Sequence, residues 1–342
     1  RLASDFIFAT PAEMYQSGLI DAVLIATPHR LHVRQAVEAF RAGMHVLLEK
    51  PTGVSTQEVR LLNAAADRSG RAFGAMFNQR TNPAYRKMKR LVESGELGEI
   101  RRTNVVITDW LRAQSYYDSC AWRATWAEDG GGVLLNQAPH NLDLWQWICG
   151  MPVAVQSNMR FGQWHDIEVE DDVTAYLEFP EGATGVFVTT TGETPGTNRF
   201  EVSGTGGKLL CEGGALKWYK NASDSAAFSL ETKEFFGRPK CECVAVETDG
   251  KNPQHAGIIN NFANALLGKE DFFVDGREGL NGVELMNAIE LSGWQGGREV
   301  TLPVDEELYL AELNKRRAAS RLKTADDGAV ADTQGSYGSK EK

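Results

Sequence analysis

Three short stretches of this 342-residue chain combine residue types able to move a proton or hold a polar ligand. The first is "NQAPHNLDLW", Asn136 to Trp145, with an amide, a histidine and a carboxylate at spacings of four and three. Positions i, i+4 and i+7 share a helix face, so Asn136, His140 and Asp143 line up if the helix already runs at Asn136. Pro139 complicates this: it lacks an N–H and disfavours helical geometry in Ala138, which allows the regular helix to start only at Pro139. Either way His140 falls in a first turn, where the positive end of the helix dipole favours a neutral base over imidazolium. The glycines at 130–132 imply close approach of another group just before it. A structural polar face is the competing reading. The second stretch is "EKP", Glu49 to Pro51. A desolvated Lys50 at a strand end would polarise a hydroxyl or carbonyl, although a strand-end ion pair with Glu49 accounts for the same residues. The third is "ATPHRLH", Ala26 to His32. Its Thr-Pro either exposes donors toward a cofactor or simply starts a helix, with Thr27 as N-cap and Pro28 at N1.

The elements that must position these residues follow from hydrophobic pattern and punctuation. "DAVLIATP" (Asp21 to Pro28), "MHVLLEKP" and "RAFGAMF" are short continuous apolar runs, as expected of buried parallel strands. Between them lie an amphipathic helix closed by Gly43 and a second helix opened by a capping box, Ser55 to Glu58, which ends near Gly70. Asn82 and Pro83 pair as N-cap and N1 for a helix that stops at Gly95. The alternation predicts a doubly wound α/β domain, whose ligands gather at the carboxyl ends of its strands. After "GEIRRTNVVITDW" the pattern becomes one helix, about Gln137 to Cys149, and then alternating segments joined by turn signals such as "FPEGAT". These predict an antiparallel sheet with one face on helices. Two helices follow, around His255 to Leu267 and Gly276 to Gly293. Val186 and Val188 alternate along one sheet face that needs cover, so a homo-oligomer, dimer or tetramer, is expected.

Composition narrows the class. A net charge of −10 argues against nucleic acid or anionic membranes as partners. No apolar run approaches the ~18 residues of a membrane span. Five cysteines are too few and scattered for a disulfide framework, and the lone C-x-C of Cys241 and Cys243 lacks a second pair for zinc. No metal is expected, and the cysteines fit a reducing cytoplasm.

Taken in order, "DAVLIATPHRLH", "AGMHVLLEKP", "SGELGEI", "GGGVLLNQAPHNLDLW" and "LSGWQGGREVTLP" resemble the Gfo/Idh/MocA family of nicotinamide-dependent sugar and polyol oxidoreductases. The resemblance runs from about Leu2 to Pro303. It implies a Rossmann-type N-terminal domain, here residues 1–98, and an α+β domain on a large open, mostly antiparallel sheet, residues 99–314. A polar tail, residues 315–342, is expected to be disordered. By the same resemblance Lys50 orients substrate beside the nicotinamide and His140 is the acid/base. Thr27, Pro28, His29, His32, Glu49, Asn78, Gln79 and Arg80 face NAD or NADP, while Trp122 and Arg123 approach cofactor and substrate, and Gln137 touches substrate. Many relatives carry Asp where Asn136 stands; an amide can hydrogen-bond a hydroxyl but exchanges no proton. Asp143 is expected to support backbone or His140, and Arg123 either to clamp an anion or to form a surface ion pair. The G-x-G-x-x-G of a Rossmann first turn is absent, and a first strand–helix–strand unit preceding Arg1 is expected. The resemblance also admits a redox-assisted glycosidase and a non-catalytic dinucleotide sensor.

Overall fold

The structure is a computed structural model describing residues 6–321. Helix α1 (Pro11–Gln16) precedes three strands, β1 (Ala22–Ile25), β2 (His45–Leu48) and β3 (Phe73–Ala75), which pair in parallel in that order. Helices α2 (His29–Arg41) and α3 (Thr56–Ser69) are the crossovers. They bury Phe40, Leu62 and Ala66 against Ile25, Val46 and Leu48 on one sheet face. The expected capping box forms in altered shape. Ser55 Oγ accepts from the Glu58 amide, but the Glu58 carboxylate accepts from Val54 rather than Ser55. Gly70 closes α3 in the left-handed region. Helix α4 (Pro83–Glu93) starts as the sequence predicts, with Asn82 Oδ1 accepting from Ala84 N at 2.9 Å.

β4 (Ile100–Ile107) opens the second sheet, and the chain then leaves it for α5 (Gln114–Asp118), α6 (Val133–Asn136) and α7 (Pro139–Cys149). The helix expected from about Gln137 starts at Pro139, the alternative its proline allowed, and the short α6 precedes it across Gln137 and Ala138, because Pro139 has no N–H to continue the ladder. Strands β5 (Ala154–Phe161), β6 (Glu170–Glu178), β7 (Thr184–Thr190), β8 (Asn198–Gly204), β9 (Gly207–Glu212) and β10 (Ala215–Asn221), then helix α8 (Ser225–Glu231) and β11 (Cys241–Ala245), follow. With β12 (Val300–Thr301) they make a nine-stranded sheet ordered β11-β10-β9-β8-β4-β7-β6-β5-β12. Only the β4–β7 pair is parallel, because β7 returns to β4 after the long excursion through α7. Burial alternates along β7 as expected: Phe187 and Thr189 point into the core, while Val186 and Val188 stay partly exposed on the outer face.

Helix α7 is pinned to this sheet by Trp145. Its ring stacks on Phe187 at 5.8 Å and its Nε1 donates to Thr103 Oγ1 at 2.9 Å. A Cβ on Gly185 would lie 2.6 Å from the Trp145 ring, so only glycine fits opposite it. Helix α9 (Gln254–Leu266) sends Ile258 and Phe262 onto Leu47, Ala75 and Phe77, covering the second face of the parallel sheet from a late part of the chain. Helix α10 (Gly279–Trp294) is buried on nearly all sides, packed against β5, α7 and α3. Its Asn287 accepts from Thr56 N and donates to Val54 O, which ties it to the loop after Lys50. Helix α11 (Glu306–Ala318) buries Tyr309 and Leu313. It runs past Lys315, where a disordered tail was expected to begin, because Arg316 bonds back to Glu312 and lies over the Trp294 ring at 4.2 Å. The rest of that expected tail, from residue 322, lies outside the described residues. Among the described residues no helix is long and apolar enough to cross a membrane.

Candidate active site

The carboxyl ends of β1, β2 and β3 carry Thr27, Glu49–Lys50 and Asn78, and the start of α7 comes up to them from the second sheet. A short contact at this junction joins the two: Lys50 Nζ donates to the Asn136 carbonyl oxygen at 2.6 Å. An ammonium has three donors, so this bond leaves two for another ligand. Burial lowers the Lys50 pKa, with Glu49 and Asp129 opposing it and Arg112 adding to it. His140 lies in the first turn of α7, partly exposed, with Nδ1 buried and without a hydrogen-bond partner among the described residues. Its pKa is held well below the ordinary histidine value by burial first, then by the charges of Lys50 and His255. The neutral base expected from the helix dipole is thus produced mainly by desolvation.

The glycine run has the neighbours its sequence implied. A Cβ on Gly132 would sit 2.0 Å from the Glu170 carbonyl oxygen, and one on Gly130 2.9 Å from the Val54 side chain. Glu170, fully buried, accepts from Gly132 N at 2.9 Å and Leu134 N at 3.0 Å, holding the start of α6 and hence the Asn136 carbonyl. Burial pushes the Glu170 pKa up to about 7. Buried Glu290, within its electrostatic reach, is raised as well, by its own burial first and then by Glu170. Neither acid stood out in the sequence, since nothing local marks Glu170 as holding a helix start from another strand, or Glu290 as buried within α10.

Other expected site residues divide into those that line the strand ends and those that build them. His29 Nδ1 meets Asp129 Oδ1 at 2.9 Å, and its ring stands edge-on to Trp122 at 6.4 Å. Asn78 Nδ2 donates to Gln254 Oε1 at 2.6 Å, while its buried Oδ1 has no hydrogen-bond partner among the described residues. Gln79 donates to the same Gln254 oxygen. Thr27 does not cap α2: its hydroxyl donates to Gln35 Oε1 at 2.7 Å, and the first turn of α2 has no side-chain cap. His32, expected to face the cofactor, is 1 % exposed. Its two nitrogens lie 2.8 Å from the carbonyls of Pro51 and Thr27, so it braces the two strand ends instead. Burial lowers its pKa to about 4. Arg80 and Asp143 are also internal, each 1 % exposed. Arg80 donates to both Asp143 oxygens at 2.6 and 2.8 Å and to Glu278 at 2.5 Å. Asp143 therefore supports α7 through Arg80 and Gln146, not through His140. Arg123 Nη1 donates to Tyr116 Oη at 2.7 Å and its guanidinium lies over the rings of Tyr116 and Trp122. Gln137 Nε2 donates to the same phenol oxygen at 3.3 Å. Cys241 and Cys243 are exposed on β11, and no three potential metal ligands cluster among the described residues.

Comparison with known proteins agrees with this architecture. A family model described as an oxidoreductase-family, NAD-binding Rossmann fold matches residues 3–77, and one for the GFO/IDH/MocA C-terminal domain matches residues 85–210. The chain is 30% identical over 199 residues to a 1,5-anhydro-D-fructose reductase of Ensifer adhaerens, covering 56% of each protein. It is 27% identical over 208 residues to a scyllo-inositol 2-dehydrogenase (NAD(+)) of Bacillus subtilis, 58% of this chain and 57% of that protein. The matches thus span about half the length of these curated relatives. Among solved structures, the WlbA dehydrogenase of Bordetella pertussis in complex with NADH and UDP-GlcNAcA superposes with a TM-score of 0.72 at 29% identity. That match covers 87% of this chain and 84% of the other.

Proposed function

Because the chain belongs to the Gfo/Idh/MocA oxidoreductase family, we propose that it is a nicotinamide-dependent oxidoreductase acting on a hydroxyl or carbonyl of a sugar or cyclitol. The observation that carries the reading is the Lys50–Asn136 contact, which brings a buried cation and a neutral histidine together at the carboxyl edge of the parallel sheet. That edge suits a dinucleotide: the first turn of α2 is uncapped, and Asn78 presents a buried oxygen that lacks a partner. Pro28, His29, Glu49, Asn78, Gln79 and Trp122 would hold it. Bound NAD or NADP supplies the hydride acceptor, or in reverse the donor.

The chain's own residues supply position and the proton. Lys50, fixed by one bond to Asn136, turns its remaining N–H groups to the reacting oxygen and lowers the cost of negative charge there. His140, kept neutral by burial, takes the hydroxyl proton in oxidation and returns it in reduction. The side-chain amides of Asn136 and Gln137 hold neighbouring hydroxyls. Since Asn136 cannot exchange a proton, His140 carries that role without a carboxylate beside it. Lys50→Ala or His140→Ala should each lower kcat by at least about 10²-fold, followed through reduced-nicotinamide absorbance on a panel of sugars and cyclitols. Near-wild-type turnover by both variants would sink the assignment.

A further inference from the structure

Tyr116 sits in an arrangement that the reaction above leaves unused. Its phenol oxygen accepts two hydrogen bonds, from Arg123 Nη1 at 2.7 Å and Gln137 Nε2 at 3.3 Å. With both acceptor positions taken, its own O–H remains to donate. A second guanidinium, Arg112, lies over the same ring at 5.4 Å. The Arg112 guanidinium donates to the backbone carbonyls of Trp110 and Leu111, its backbone N–H donates to Thr191 O at 3.0 Å, and no ion pair joins it to a carboxylate among the described residues. Its charge acts on Lys50, where it adds to the effect of burial in lowering that pKa. The nearby acids are engaged elsewhere: Asp129 meets His29 and accepts from Ala124 N, and Glu49 accepts from Lys50 N. A chain of net charge −10 therefore gathers Lys50, Arg112 and Arg123 beside the residues of its proposed reaction.

We infer that the substrate carries an anionic group, a carboxylate or a phosphate, received by the Tyr116 hydroxyl and the Arg112 guanidinium, with Arg123 and Gln137 holding Tyr116 in place. The inference rests on the sugar-directed reading above and narrows it to acidic sugars. The chemistry is that of a charge-assisted fork. A planar guanidinium and a phenol donor match the oxygens of an anion, and the partly desolvated setting strengthens each bond. A neutral hydroxymethyl in the same place would meet the half-buried Arg112 guanidinium with no charge to match it.

The test is binding, measured by calorimetry with and without NAD, on paired ligands: a set of hexuronates, each against its neutral aldohexose, with inorganic phosphate as competitor. At least one uronate should bind roughly 10-fold or more tightly than its neutral partner. Arg112→Gln and Tyr116→Phe should collapse that ratio, and Arg112→Lys should restore part of it. Displacement of the uronate by phosphate would assign the site to phosphate as well; no displacement would restrict it to carboxylate. The inference is overturned if no uronate exceeds its neutral partner by about threefold, or if Arg112→Gln weakens both members of a pair equally. Absence of turnover on every ligand, with the uronate preference intact, would refute the oxidoreductase reading and leave the anion site standing.

Discussion

Replacing Arg80 tests whether the end of β3 contacts the cofactor or braces the helix that carries His140. The guanidinium is 1 % exposed, makes two bonds to the equally buried Asp143, and lies 5.2 Å from the ring centroids of both Phe77 and Trp147. Burial opposes its charge, but Asp143 and Glu278 outweigh burial and raise its pKa. Arg80→Met keeps the side-chain volume and leaves Asp143 buried with only Gln146 as a donor. Breaking one side of such a pair costs about 3–5 kcal/mol. The Glu278 partner is 41% exposed and adds little. For a chain of 342 residues the loss corresponds to a Tm decrease of about 4–7 °C. Arg80→Met/Asp143→Leu removes both charges together and should fall within about 1–2 kcal/mol of wild type. The double-mutant cycle then gives a coupling of at least about 2 kcal/mol. Urea unfolding with linear extrapolation measures all four proteins, and NAD affinity is measured in parallel. An Arg80→Met variant of unchanged stability and weakened NAD binding would refute the reasoning and return Arg80 to the cofactor.

The buried acids predict how stability depends on pH. A carboxyl whose folded pKa exceeds its unfolded value stabilises the fold at low pH, and that stabilisation is lost as pH rises through the folded value. Glu170 is pushed from the ordinary 4.5 up to about 7 and Glu290 is raised in the same direction, so Tm should fall as pH rises from about 4.5 through 7. Glu290→Gln keeps the acceptor for the Tyr309 hydroxyl, which donates to Glu290 at 2.6 Å, and should flatten that fall; an unchanged slope would show that the pair is not the source. The outer sheet face, with Val186 and Val188 partly exposed and Tyr176 37% exposed, is expected to be covered in a homo-oligomer. A monomeric mass by light scattering at micromolar concentration would contradict this.

The order of elements, the carboxyl-edge location of Lys50 and the helical turn bearing His140 were legible in the sequence, because each rests on local signals. Continuous apolar runs mark buried parallel strands, Ser55, Asn82 and Gly70 punctuate helices, and Pro139 cannot continue a ladder. The three glycines also announced a close approach without naming what approaches. Which side chains became site and which became scaffold was decided only by tertiary structure. His32 and Arg80 sit in stretches that also carry ligand-facing positions, yet His32 is drawn between two carbonyls and Arg80 onto Asp143 and Glu278, 63 and 198 residues away in sequence. Tyr116 and Arg112 carry no spacing signal, and their relation to Lys50 exists only once the loop after β4 meets the helix that follows the glycines. Asn136 changed meaning most: its side chain drew attention, whereas its backbone carbonyl holds Lys50. A sequence fixes local backbone preference because those energies act over a few residues. The pairing of charges and the satisfaction of buried polar atoms are settled by distance in space, which the chain sets only when both sheets have closed on α7 and α10.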